Sequence, residues 1–395
     1  MTELPQQLQM IPIHGTINPE VIERELTKLW CQSAGANVRE VEAGDESALM
    51  RARVANLMVY VSDDAAISEI SEVLDELAVK HPCRALLMVG EVQEADRDIE
   101  MFVSSFFHGP RTTGGRRLCC EEVILTARGR FVVELPSATL PLLVPDLPGF
   151  LWWNDELKIR DKVFSELAHR ADRVIIDSAE FQDTGAQMAA LLAWLQSDDE
   201  DKAAISDINW ARLTSWRALL AGCFDSPQHR AALDQIGSMR IEYAANEAAS
   251  EALAPQAVLI AGWLASRLDW KIASPVNQSA RGGESRKVTF EKDERRIDAE
   301  FLQVERPQLK PGRLASVALT TESPAPVSFA VRRSEDGKYL ETCVTEDKQS
   351  SRTRVSPVRN RSAADLLGRE MEIVCRDSVY EEAILKSAEL VNLHF

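Results

Sequence analysis

The sequence of 395 residues contains no apolar run that approaches the roughly 18 residues needed for a membrane-spanning helix. Its opening segment, MTELPQQLQM, has neither the basic start nor the apolar stretch of a secretory signal. These two absences predict a cytoplasmic chain with no membrane partner.

The signatures of several enzyme classes are also missing. No Gly-x-Gly-x-x-Gly follows the first strand-like segment, no P-loop occurs, and neither Gly-x-Ser-x-Gly nor His-Glu-x-x-His is present. The seven cysteines form no Cys-x-x-Cys pair, and the six histidines are scattered without metal-ligand spacing. The sequence therefore predicts no metal and no cofactor, and nothing in it favours catalysis.

Negative charge is abundant and unevenly distributed. The formal net charge is −17, of which residues 1–270 carry −18 and residues 271–395 carry +1. Nucleic-acid binding depends on a basic footprint that displaces counterions, so this composition argues against a nucleic-acid partner. Net charge of this size mainly favours solubility.

Apolar patterning predicts an α/β first part. Asn18 and Pro19 are typical of a helix start, and strand 53–61, helix 67–77 and strand 84–90 then follow in the βαβ order of a parallel sheet. Further strands are predicted at 100–107, 121–127, 150–153 and 173–178, and further helices at 163–167, 185–196, 209–223, 229–250 and 255–268.

The composition changes at residues 271–287, which are rich in Ser, Gly and Pro and predict a linker or an exposed loop. Alternating segments beyond it predict strands at 287–291, 296–304, 313–321, 326–333 and 338–344. A basic loop, a short helix, a strand at 370–375 and a last helix opened by Ser378 and Glu381 complete the chain. We thus predict an N-terminal βαβ-type sheet with covering helices, followed by an α+β part with an antiparallel sheet.

A Gly-Gly segment between two predicted strands is the first candidate site. Its backbone N–H groups and guanidinium forks can hold a phosphate, or the segment can be a solvated turn. The residues concerned are Thr113, Gly114, Gly115, Arg116 and Arg117.

The predicted helix 209–223 carries the second set of candidates. Its apolar face comprises Trp210, Leu213, Trp216, Leu220 and Phe224. Arg217 lies near this face and Arg212 on its flank, so each guanidinium needs a carboxylate or carbonyl partner. The carboxylates of Asp177, Asp207 and Asp225 are candidates for that role. The arrangement predicts either a structural ion pair or a surface, with Trp210, that recognises a partner.

A basic run near the C-terminus is the third candidate. It places four guanidinium groups within ten residues, at Arg352, Arg354, Arg359 and Arg361. The run is either a flexible exposed loop or a surface that docks onto an acidic partner.

Seven segments together resemble one known family. In chain order they are RVANLMVYV, HPCRALL, LCCEEVILTARG, PLLVPDLPGFLWW, DRVIIDSAEF, DINWARLTSWR and RDSVYEEAIL. Over residues 20–390 the sequence is similar to OpcA, the family of glucose-6-phosphate dehydrogenase assembly proteins. The longest of these segments are long enough to be specific. The resemblance therefore does not depend on any single short motif.

The resemblance implies a domain at 1–165 and a second at 166–395, and a non-catalytic activator that binds glucose-6-phosphate dehydrogenase in the oxidative pentose phosphate pathway. It also implies control by thioredoxin through C-terminal cysteines, for which Cys343 and Cys375 are the candidates here. The alternative is an α/β enzyme or binding protein for a sugar phosphate or nucleotide, with Arg116 and Arg117 as phosphate ligands.

Overall fold

The chain forms two β-sheets with helices around them in a computed structural model. The structure describes residues 11–13, 19–34, 49–51, 54–108, 117–199, 201–245, 253–274, 285–346, 349–359, 361–373 and 375–392. Mixed helices and sheets confirm the predicted α/β class.

The first sheet has nine strands, in the order β1-β5-β6-β4-β3-β7-β8-β9 with β2 beside β6. They are β1 (Ile11–Ile13), β2 (Leu49–Arg51), β3 (Ala55–Val61), β4 (Cys83–Glu91), β5 (Arg97–His108), β6 (Arg117–Arg128), β7 (Gly149–Trp153), β8 (Arg173–Ile176) and β9 (Ala204–Asp207). The central strands pair in parallel, whereas β5 pairs antiparallel with β6.

The second sheet has eight strands, in the order β11-β12-β13-β10-β14-β15-β16-β17. They are β10 (Ile236–Ala244), β11 (Lys271–Ser274), β12 (Ser285–Lys292), β13 (Arg295–Val304), β14 (Leu314–Thr321), β15 (Ser328–Arg333), β16 (Tyr339–Glu346) and β17 (Gln349–Pro357). The pairing is antiparallel, as predicted, except that β10 and β13 are parallel.

Most of the helices lie where helical periodicity predicts them. They are α1 (Pro19–Ala34), α2 (Ile67–Ala78), α3 (Leu135–Thr139), α4 (Lys162–Ala168), α5 (Thr184–Leu195), α6 (Ile208–Arg212), α7 (Thr214–Gly222), α8 (Pro227–Arg230), α9 (Pro255–Leu268), α10 (Ala363–Glu372) and α11 (Ser378–Asn392). In the described part of the chain, none of them combines the length and the apolar character of a membrane span.

The apolar runs of the first sheet belong to strands that are buried on both faces. Every residue of β3 and of β7 is buried, and β3, α2 and β4 form the predicted βαβ unit. Trp152 and Trp153 project to opposite faces of β7, yet both are at most 5% exposed. The ring of Trp153 stacks on Tyr60, with centroids 4.1 Å apart.

The prediction of one helix at 229–250 is wrong. Only α8 is helical there, a short 3₁₀ turn follows, and the chain then enters β10. In β10 the buried Met239, Ile241 and Tyr243 alternate with less buried polar residues, which is the period of a strand. Residues 246–250 of the predicted helix lie outside the described residues.

Three C-terminal predictions need correction. The basic segment predicted as a loop contains most of strand β17, and residues 370–372 of the strand predicted at 370–375 are the end of α10. Helix α11 does begin at Ser378, but the side chain that caps it belongs to Asp377, whose carboxylate accepts from the N–H of Tyr380 at 3.0 Å. The prediction from Ser378 and Glu381 therefore places the helix cap one residue late.

Packing divides the chain into two compact units that interleave in sequence. The first comprises residues 1–176, 199–206 and 361–376, and the second comprises 177–198, 207–360 and 377–395. The predicted boundary at residue 165 concerns the two family domains and stays a prediction, as does the break at 271–287, much of which lies outside the described residues.

Helix α9 is enclosed within the second unit. Nine of its 14 residues are buried, nearly all of them consecutive, so the helix has no solvent-facing side over most of its length. It packs against α11 at Gly262, where an added Cβ would lie 2.5 Å from the carbonyl oxygen of Ala383 and 2.9 Å from the backbone nitrogen of Ser387. Glycine thus allows the two helices their close approach.

We predict that Gly262→Ala lowers the free energy of unfolding by about 1–3 kcal/mol, because the added methyl group forces the backbones of α9 and α11 apart. Gly222→Ala is the matched control, since its added Cβ would have 3.8 Å to the nearest heavy atom, in Asp225. The control should be neutral or slightly more stable than wild type, because alanine is the better helix former. Chemical denaturation measures both. Wild-type stability in Gly262→Ala would contradict the packing described.

Candidate functional site

The predicted helix 209–223 is two short helices joined at Leu213, and a buried carboxylate fixes where the first begins. Asp207 accepts a hydrogen bond from the N–H of Asn209 at 2.8 Å, which caps α6. It also accepts from the N–H of Ser178 at 3.0 Å and from its hydroxyl at 2.6 Å. The carboxylate therefore ties the start of α6 to the segment that contains Ser178.

Asp207 is 1% exposed, and its environment resists ionisation. Burial, and after it the neighbouring charge of Asp177, raise the pKa of this carboxyl, while the hydrogen bonds from Ser178 and Asn209 oppose both effects; the resulting pKa is about 6. The cap thus titrates well above an ordinary aspartate.

The apolar face predicted for this segment is confirmed. All five of its members are buried: Trp210, Leu213, Trp216, Leu220 and Phe224. The indole N–H of Trp210 donates to the Oδ2 of Asp377 at 2.9 Å, and its ring lies 5.5 Å from that of Tyr380. Trp210 is therefore a core residue and presents little surface to a partner.

Arg212 finds one of the three carboxylates predicted for this region. Its two terminal nitrogens donate to the two oxygens of Asp177 at 2.6 and 2.7 Å, in a bidentate pair. Burial by itself lowers the pKa of Arg212, but the hydrogen bond and charge of Asp177 outweigh it, so the pKa rises. The pair is the structural ion pair that the sequence left as one alternative.

Arg217 lies over the ring of Trp210, with its central carbon 3.3 Å from the ring centroid. Its Nη2 also donates to the carbonyl of Trp210 at 3.4 Å and to the hydroxyl of Thr214 at 3.3 Å. The expectation of a carbonyl partner is thus confirmed, and the indole face adds a cation–π contact.

A chain of buried amides connects α6 to the second sheet. Asn209 accepts from the side-chain amide of Gln256 at 2.8 Å, and the Oε1 of Gln256 accepts from the N–H of Leu314 at 3.0 Å. Both amide side chains are at most 4% exposed. This network holds the first residue of β14 in a fixed position next to α6.

Two arginines beside this network were not predicted from the sequence. Arg313 donates to the Oδ1 of Asn209 at a long 3.4 Å, and Arg333 donates to the carbonyls of Leu314 at 3.3 Å and Gly337 at 3.4 Å. The guanidinium of Arg333 also lies 5.8 Å from the ring centroid of Trp216. Neither arginine forms an ion pair with a carboxylate in the described part of the chain.

The electrostatics show that these arginines are neighbours. Burial lowers the pKa of Arg313, and repulsion by Arg212 lowers it further. Burial likewise lowers the pKa of Arg333, and the next contribution is repulsion by Arg313. We refer to Arg212, Arg313 and Arg333 as the arginine cluster. Arg212 is far from the other two in sequence, whereas Arg313 and Arg333 lie at the start of β14 and the end of β15, so the antiparallel pairing of these consecutive strands is the signal that could have revealed them.

The basic run predicted as a docking surface lies partly on an edge strand. Arg352 and Arg354 are in β17, the last strand of the second sheet, and Arg359 follows it. Arg354 and Arg359 are exposed, whereas Arg361 is half-buried and belongs to the other compact unit. The exposure of Arg354 and Arg359 is what a docking role requires.

Strand β17 also exposes apolar side chains. Val355 is 47% exposed, and Tyr339, which pairs with Pro357 from the neighbouring β16, is 44% exposed. No described strand pairs with the outer edge of β17. We define β17 together with Tyr339 and Arg359 as the β17 surface.

The alternative phosphate loop falls mainly outside the described residues, which include neither Thr113, Gly114, Gly115 nor Arg116. Arg117 is the first residue of β6. At the carboxyl ends of β3 and β4, where parallel sheets commonly bind ligands, the side chains are acidic. Asp63, Asp64 and Glu91 lie within 4.8 Å of one another, and Arg128 pairs with the last two. The negative charge at this edge of the sheet disfavours the binding of an anionic nucleotide there.

The two candidate redox cysteines differ in environment. Cys375 is exposed in the first compact unit, and Cys343 is half-buried in strand β16 of the second. Cys223, in the same unit as Cys343, is buried, and burial raises the pKa of its thiol to about 11. Thioredoxin control through Cys343 and Cys375 stays a prediction.

Two family profiles match the chain. Residues 74–193 match the profile described as the glucose-6-phosphate dehydrogenase subunit N-terminal domain, and residues 203–384 match its C-terminal domain. The second match contains α6, α7 and every member of the arginine cluster.

Curated relatives agree with the profiles. The chain is 30% identical to a protein of Synechococcus elongatus, over 78% of this chain and 67% of the relative, and 28% identical to one of Nostoc punctiforme, over 81% and 68%. Their names assign them, provisionally, to the OxPP cycle as OpcA.

Solved structures are similar only distantly. The WlbA dehydrogenase of Thermus thermophilus shares 9% identity with a TM-score of 0.45, covering 85% of this chain and 94% of that one. A likeness of this degree assigns neither a cofactor nor a reaction.

The raised pKa of Asp207 predicts a specific pH dependence. Between about pH 4 and pH 6 the folded protein keeps a proton that the unfolded chain has released, so this group's contribution to stability is lost as the pH rises through 6. The loss should approach about 3 kcal/mol, since each pKa unit corresponds to about 1.4 kcal/mol.

Asp207→Asn isolates this effect, because its amide oxygen can still accept from the N–H groups of Ser178 and Asn209 but the side chain no longer titrates. The free energy of unfolding of wild type minus that of the variant, measured by denaturant at several pH values, should fall from pH 4 to pH 7. Parallel pH curves for the two proteins would contradict the assignment.

Proposed function

The chain belongs to the OpcA family of glucose-6-phosphate dehydrogenase subunits, and from this premise we propose that it is a non-catalytic activator that binds the dehydrogenase and favours its active state. The observation that carries the proposal is the pair of profile matches, which together extend from residue 74 to residue 384. The proposed setting is the oxidative pentose phosphate pathway, in the cytoplasm.

The chemistry of the described site supports binding over catalysis. The carboxylates beside α6 are occupied with structural bonds, since Asp207 caps the helix and Asp177 holds Arg212 in a bidentate pair. A general base must be free to reach a substrate proton. These groups instead stabilise the scaffold around them.

An activator needs only a difference in affinity between two states of its target. A tenfold gain in the substrate affinity of the dehydrogenase corresponds to about 1.4 kcal/mol of coupling free energy. One well-packed interface is sufficient for a difference of this size, so no chemical step on this chain is required.

We assign the interface to the β17 surface. An unpaired strand edge offers backbone N–H and C=O groups to an extended segment of a partner. Val355 and Tyr339 add exposed apolar area, and Arg354 and Arg359 add positive charge on an otherwise acidic protein. The surface therefore fits an extended segment with acidic side chains on the dehydrogenase.

The first test is kinetic. The rate of the cognate dehydrogenase is measured across glucose 6-phosphate concentrations with and without this protein. We expect the apparent KM to fall, or kcat to rise, and the effect to saturate as the protein is added. Unchanged kinetics together with separate elution from a sizing column would reject the proposal.

A charge-reversal variant tests the interface. Arg354→Glu with Arg359→Glu should slow association with the dehydrogenase by about tenfold or more at low salt, because the attraction becomes repulsion. The matched control is Lys287→Glu with Arg296→Glu, which changes the net charge equally at exposed positions on β12 and β13, toward the opposite edge of the sheet.

Biosensor kinetics at two salt concentrations separate local from long-range effects, since salt screens the exposed charges. The control pair should retain most of the wild-type association rate. Equal losses in the two variants would show that net charge, and not the β17 surface, governs association, and would remove that surface from the proposal.

A further inference from the structure

The arginine cluster holds more positive charge than its surroundings neutralise. Arg212 has Asp177 as a bidentate partner, but Arg313 and Arg333 have no carboxylate partner among the described residues. Besides Asp177, the acidic group that acts on Arg313 is Glu180, which is exposed. Two guanidinium groups therefore remain uncompensated.

Most of the hydrogen-bonding capacity of these two groups is unused. A guanidinium has five N–H donors. In the described structure Arg313 uses one of them, on Asn209 at 3.4 Å, and Arg333 uses two, on the carbonyls of Leu314 and Gly337 at 3.3 and 3.4 Å. All three bonds are long for a charged donor, for which about 2.7–2.9 Å is usual.

Holding these charges together costs the folded protein stability. Each group is half-buried and repelled by the next, and an unpaired buried charge is among the most destabilising features of a core. The chain has 62 acidic residues, and none in the described part pairs with Arg313 or Arg333. A feature that is unfavourable for folding is typical of a binding site.

The frame around the cluster is rigid. The buried amides of Asn209 and Gln256 hold the backbone of Leu314, which follows Arg313 directly and accepts the hydrogen bond of Arg333. The ring of Trp216 stands beside the guanidinium of Arg333. A ligand would therefore meet donors that are already in place.

We propose that Arg313 and Arg333 bind the dianionic phosphate group of a small phosphate ester. Two uncompensated positive charges match a dianion, and the planar fork of a guanidinium matches two phosphate oxygens. These residues are not those of the Gly-Gly segment that the sequence offers as a phosphate loop. It requires no dehydrogenase, so it stands or falls independently of the proposed function.

The test uses the full-length protein alone, titrated with inorganic phosphate and with glucose 6-phosphate as a phosphate monoester, at constant ionic strength. Thermal unfolding and calorimetry should show saturable binding of both anions and none of glucose, which lacks the phosphate. Binding to the native state raises the melting temperature by mass action. If neither anion shows saturable binding, the proposal is overturned.

Arg313→Gln and Arg333→Gln should each weaken phosphate binding by about tenfold or more. A loss of this size corresponds to at least one charge-assisted hydrogen bond. Arg332→Gln is the matched control, because Arg332 is exposed and precedes Arg333 on the same strand. It removes the same charge and should leave the affinity unchanged. Equal weakening in all three variants would indicate a diffuse charge effect and overturn the assignment.

Stability separates a ligand site from a structural one. Without phosphate, Arg313→Gln should melt at the same temperature as wild type or higher, since a repelled charge has been removed. A lower melting temperature with unchanged phosphate affinity would make the cluster structural and overturn the proposal. If Arg333→Gln fails to fold, Arg313→Lys provides the test, because lysine retains the positive charge but lacks the planar fork of the guanidinium.

Discussion

The carboxylate of Asp207 has almost no contact with water, so it depends on three hydrogen bonds from Ser178 and Asn209. Those bonds set where α6 begins, and the side chains along α6 and α7 take their positions from that start. Asn209 is hydrogen-bonded to Gln256, which in turn is hydrogen-bonded to Leu314, the first residue of β14, so the position of α6 also fixes that of β14. A substitution of Asp207 would therefore alter the positions of α6 and α7 and of the first residue of β14.

Positive charge occurs in two distinct forms in this acidic protein. In the arginine cluster the charge is half-buried and held by a rigid backbone, which suits a small anion. On the β17 surface it is exposed and lies beside apolar side chains, which suits a protein segment. Recessed charge strengthens a specific contact, whereas exposed charge mainly speeds encounter.

Sequence reasoning succeeded where burial leaves a local pattern. The continuous apolar runs of β3 and β7 predicted strands covered on both faces, and the apolar stripe of α6 and α7 predicted which side chains are buried. The prediction is wrong at β10, whose alternating pattern indicates a strand and not a helix, and at β17, where basic residues conceal a strand. The arginine cluster was not predicted, although the antiparallel pairing of the consecutive strands β14 and β15 brings Arg313 close to the end of β15, where Arg333 lies.

The interleaving of the two compact units has a consequence for how the chain folds as it is synthesised. Helix α11 belongs to the unit that begins at residue 177, and it packs against α9 through Gly262. The core of that unit therefore cannot close until residues 378–392 have left the ribosome. Until then α9 and α5 lack the helix that packs against them, so this half of the protein should depend more on chaperones than a domain built from one continuous stretch.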